Sequence, residues 1–78
     1  MLLEIITPDT QIYEGECSLL QLPGVDGSFE ILHNHLPLIS ALKKGKVKVI
    51  DQSGETLFFK INGGVIEVLK NKIIILAE

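Results

Sequence analysis

Residues 45–77 read GKVKVIDQSGETLFFKINGGVIEVLKNKIIILA, and their spacing decides the fold. Val47 and Val49 alternate with Lys46, Lys48 and Ile50, while Leu57, Phe59 and Ile61 alternate with Thr56, Phe58 and Lys60. A two-residue period places successive side chains on opposite faces of a strand. Turn-forming residues interrupt the pattern at Gln52-Ser53-Gly54, at Gly63-Gly64 and at Asn71. The spacing therefore predicts strands over residues 45–51, 55–61, 65–69 and 73–76.

The N-terminal half carries the same pattern. Strands are expected over residues 2–7, 11–16, 18–22 and 29–32, with Pro8-Asp9 stopping the first and Pro23-Gly24 and Asp26-Gly27 forming a turn-rich loop. Residues 36–44 fit either a short helix, with Leu38, Ile39 and Leu42 on one face, or an extended segment. Pro37 restricts Leu36 to extended geometry, so the extended reading is adopted. The expectation is one all-β domain over residues 1–78, a two-sheet sandwich of about eight to ten short, mainly antiparallel strands. Several strands are apolar on both faces, which predicts burial inside the sandwich or beneath a partner.

Composition agrees. Hydrophobic residues make up 46% of the 78, and Ile, Leu and Val dominate them, which favours sheet over helix. The net charge is −3, with seven lysines and no arginine. A mildly acidic chain without Arg has little electrostatic reason to bind nucleic acid or anionic lipid. The single cysteine, Cys17, forms no intrachain disulfide and fits a reducing, cytoplasmic compartment. No signal-peptide pattern opens the chain. The strongest apolar run, residues 73–77, falls far short of the roughly 20 residues a membrane span needs, so no direct membrane insertion is expected. The mean hydropathy of +0.37 fits a surface that keeps an apolar patch for a partner.

Few residues suggest bond chemistry. His33 and His35 share a strand face, but a zinc site needs three or four ligands, and the chain has no third His and no second Cys. The expected roles are one solvent-facing His and one bracing the loop; no metal is expected. Cys17 would act as a nucleophile only beside a base in an electropositive setting, which nothing in the sequence supplies. Gly24, Gly27, Gly63 and Gly64 lack the Gly-Lys-Ser/Thr and the helix start of a phosphate loop, so no nucleotide site is expected. Residues 67–71, EVLKN, share the Glu and Lys of a biotin-carrier hairpin but not its two methionines, and a carrier domain with Lys70 as attachment site is the alternative reading. Lys43, Lys44, Lys46 and Lys48 read as a solvated face able to pair with acidic groups of a partner.

Residues 22–39, LPGVDGSFEILHNHLPLI, resemble the ATP synthase epsilon-subunit family. The likeness consists of a Gly-x-x-Gly loop, then an Ile, then His-x-Pro-Leu-hydrophobic. It continues through Ala41-Leu42 and Gly45, resumes at Gly63-Gly64-Val65-Ile66-Glu67-Val68 and closes over residues 73–78. Two positions depart from it: Glu30 stands where a Gly is common, and His33 where a Pro is common. The resemblance implies a non-catalytic rotor subunit of the central stalk, without cofactor, peripheral on the cytoplasmic face of the membrane. It implies partners in the gamma subunit and the polar loops of the c-ring. By the same resemblance Asp26, Gly27, Ser28 and Phe29 face the c-ring, and Thr7, His35, Leu38, Ile39 and Ser40 face gamma. The family's helical hairpin does not appear within the 78 residues, so inhibition by such an arm is not expected of them.

Overall fold

A computed structural model describes residues 1–33 and 37–78. Eight strands follow in chain order: β1 (Leu2–Ile6), β2 (Gln11–Gly24), β3 (Gly27–Leu32), β4 (Leu38–Leu42), β5 (Gly45–Asp51), β6 (Thr56–Ile61), β7 (Gly64–Leu69) and β8 (Lys72–Ala77). The all-strand expectation holds, and within the ambiguous segment Leu38–Leu42 is extended as β4.

The strands form one hydrogen-bonded network that folds into two layers. The first half of β2 pairs with β1, which continues to β8, β7 and β4; the second half pairs with β3 on one side and β5 on the other, and β6 follows β5. All pairings are antiparallel except β1 with β8. The 14-residue β2 spans both layers. The sequence suggests two strands here because the alternation breaks at Cys17. In the structure the backbone runs on, and the break becomes a register irregularity against β5 between Cys17 and Leu19.

The inward set is the one the alternation selects. Leu3, Ile5, Leu20, Ile31, Val47, Val49, Ile66 and Ile75 are wholly buried and unite both layers in one core. Among the described residues that core holds no buried polar or charged side chain. Asn71 takes a positive φ of 62° in the β7–β8 turn, a conformation Asn tolerates. Gly64 has φ of 146°, and a Cβ there would collide with the Leu76 carbonyl oxygen, so only glycine lets β7 start so close to β8.

Candidate docking surfaces

On the outward side of the β1–β8–β7–β4 layer, register aligns Ile6, Leu76, Val65 and Ala41 in one row across four strands. Leu76 is 54% exposed and Val65 40%. The next outward row is Glu4, Ile74, Glu67 and Ile39, and Ile39 is 71% exposed. The first row extends further, because the Val25 N–H donates to the Ala41 carbonyl at 3.2 Å and Val25 is itself 54% exposed. Ile6, Thr7, Pro8, Leu76, Ala77 and Glu78 line an open cleft at the row's other end. Apolar surface continuous across four strands, with Glu4, Glu67 and Lys72 in the rows beside it, has the character of a partner interface.

The β2–β3 hairpin adjoins this face. Asp26, Gly27 and Ser28 are exposed at its tip, with Gly27 at φ of 128°. Phe29 is half-buried: it packs against the core, and its ring lies where a Cβ on Gly24 would stand. Of the four expected ring-facing residues, three therefore present themselves outward, while Phe29 anchors the hairpin.

The expected gamma-facing residues divide. Ile39 points outward. Ser40 faces Ile66 across β4–β7 on the inward register and is half-buried, and Leu38 packs against the core. Thr7 is committed to its own turn: its hydroxyl donates to the Thr10 carbonyl at 3.1 Å and accepts from the Thr10 N–H at 3.1 Å. His35 lies outside the described residues. His33 is exposed and lines a cleft with Met1, Glu16, Cys17, Ser18 and Gln52. Because the tip and His33 flank β3, they sit roughly 17–20 Å apart, the length of a six-residue strand, and do not form one loop cluster. Sequence reasoning missed Ile6, Val65 and Leu76. Their signal is apolarity on both faces of β7 and β8, which becomes a surface only once the register is known.

No constellation for bond chemistry emerges among the described residues. Burial, then the negative charge of Glu16, raises the Cys17 thiol above its ordinary value, outweighing the nearby N-terminal ammonium. That keeps the thiol protonated, the opposite of what a nucleophile needs. Among these residues no group of three His, Cys, Asp or Glu side chains is placed to hold a metal. No helix among them is long and apolar enough to cross a membrane.

The strands, core and hairpin together define a two-layer β domain with an apolar outer face. The chain belongs to the ATP synthase epsilon-chain family: the profile of the ATP synthase Delta/Epsilon chain beta-sandwich domain matches residues 1–78. It is 42% identical to the ATP synthase epsilon chain of Chlorobium limicola, over 97% of this chain and 86% of that one. It is 37% identical to the epsilon chain of Alkalilimnicola ehrlichii, over 96% of this chain but only 54% of the relative. A chain in the Euglena gracilis mitochondrial ATP synthase, solved as OSCP/F1/c-ring in rotational state 1, has the same fold, with a TM-score of 0.92 at 19% identity over 99% of this chain and 49% of that one. Members of the family are non-catalytic stalk subunits of a membrane-associated complex. This match favours the stalk reading over the carrier reading of Lys70, which stands exposed in the β7–β8 turn.

Proposed function

We propose that this domain docks on two rotor elements at once, the gamma subunit through its apolar outer face and the polar loops of the c-ring through the β2–β3 hairpin. In that position it couples proton-driven ring rotation to gamma from the cytoplasmic face of the membrane, as a peripheral component with no substrate of its own. The observation that carries the reading is the outward row Ile6–Leu76–Val65–Ala41 with Ile39 beside it. A rotor piece must transmit torque without yielding, and a close-packed core with laterally hydrogen-bonded strands supplies that stiffness. Ring-facing roles for Asp26, Gly27, Ser28 and Phe29, and gamma-facing roles for Thr7, His35, Leu38, Ile39 and Ser40, belong to this proposal. Within the gamma-facing set, Ile39 makes direct contact, while Leu38 and Ser40 support β4 from beneath.

Ile39→Asp tests it. The side chain is mostly in solvent, so the fold is expected to survive, while an aspartate forced into an apolar contact weakens gamma binding. Retained co-purification with gamma would remove Ile39 from the interface.

A further inference from the structure

The β4–β5 corner and the β6–β7 connection meet in an open cleft of about 440 Å³ lined by Lys44, Gly45, Lys46, Lys60, Ile61 and Asn62. Lys46 and Lys60 stand directly opposite one another across β5 and β6, and both are exposed. Like charges in that relation repel and cost stability. Among the described residues no carboxylate pairs with any lysine of the cleft; the ion pairs that form, the N-terminus with Glu16 and Lys72 with Glu4, lie elsewhere. An acidic chain thus gathers Lys44, Lys46 and Lys60 around one cleft.

This corner is continuous with the β2–β3 hairpin. The Lys43 N–H donates to the Pro23 carbonyl at 2.8 Å, and Gly45 lies so close to Pro23 that a Cβ would come within 2.8 Å of the ring. The lysine cleft therefore flanks the base of the hairpin whose tip bears Asp26 and Ser28.

We propose that the lysine cleft is the electrostatic part of the ring-facing surface and receives carboxylate side chains carried on the polar loops of the ring. The proposal rests on the ring-docking reading above and adds the charge chemistry of the contact. A protein carboxylate fits better than a lipid surface. The lysines converge on a recess beside Ile61 rather than spreading over a flat face, and the adjoining Asp26 and the net charge of −3 oppose an anionic membrane. Exposed ion pairs add little affinity each; their effect is on association rate and its salt dependence.

The test uses the assembled synthase. Zero-length carbodiimide coupling should join Lys46 or Lys60 to an Asp or Glu of a ring loop, and a photo-crosslinker on Ser28→Cys should join the hairpin tip to the same ring. Tip crosslinks without lysine–carboxylate amides would overturn the inference and leave ring docking standing. Absence of both would overturn ring docking and the inference with it. In a second arm, Lys46→Gln/Lys60→Gln should slow association with a gamma–ring subcomplex about tenfold at low salt and flatten the salt dependence, without lowering the thermal midpoint of the free chain. An unchanged salt dependence contradicts the proposal. So does wild-type binding to phosphatidylglycerol vesicles that the double variant loses, because that result would reassign the cleft to lipid.

Discussion

The outer face of the β1–β8–β7–β4 layer and the lysine corner where β5 begins and β6 ends rest on the same core but present opposite chemistry. One aligns Ile6, Leu76, Val65 and Ala41 across four strands; the other faces Lys46 against Lys60. Neither arrangement serves the isolated domain, since exposed aliphatic side chains gain no burial and opposed ammonium groups repel. The inward alternation specifies the fold, while under the proposed docking the outward alternation suits the partners: apolar where contact area is needed, charged where orientation and approach matter.

The largest expected effect separates two neighbours on β8. Ile75 is wholly buried and Leu76 is 54% exposed. Ile75→Ala should cost about 2–5 kcal/mol through cavity formation, a large part of the about 4–12 kcal/mol available to a chain of this length. Leu76→Ala should stay within about 0.5 kcal/mol. Urea unfolding of both variants checks this, and equal losses would break the division into an inward and an outward set.

Gly64 lies where the lysine corner gives way to the apolar row. Gly64→Ala combines an unfavourable φ with the collision against Leu76, so a loss of more than about 1 kcal/mol is expected. A neutral result in thermal unfolding would mean that β7 can shift against β8 without cost.

The smallest effect concerns the corner's own hairpin. The Asp51 carboxylate accepts from the Ser53 hydroxyl at 2.7 Å and from the Ser53 and Glu55 N–H groups at 2.9 Å each. These bonds, the Ser53 hydroxyl first, hold its pKa below the ordinary aspartate value. A depressed folded value means the added stability is fully present above the unfolded value of about 3.9 and disappears as pH falls through it toward the folded one. Asp51→Asn should flatten the acid limb of the stability profile in that window; an unchanged profile would remove Asp51 as its source.

The strands were legible wherever alternation is local. Val47 and Val49, and Leu57, Phe59 and Ile61, turn inward as their spacing requires, and β4 is extended as the reading of that segment expects. The parallel β1–β8 pairing was not legible, because it joins the two ends of the chain and no turn residue fixes its register. The docking rows depend on that register. Lys43, Lys44, Lys46 and Lys48 form a visible run, but only the β5–β6 pairing brings Lys60 opposite Lys46. Ser40 and Leu38 show the reverse case: family likeness placed them at a contact, and the pleat turns both toward the interior.

The most direct test of the division between inward and outward sets is titration of the synthase's own gamma subunit with the wild-type chain and with Val65→Asp. The account predicts that the variant stays folded, losing only about 1 kcal/mol in urea unfolding, yet binds gamma about a hundredfold more weakly, since a carboxylate would be driven into an apolar contact. Undiminished affinity from a folded Val65→Asp chain would contradict it.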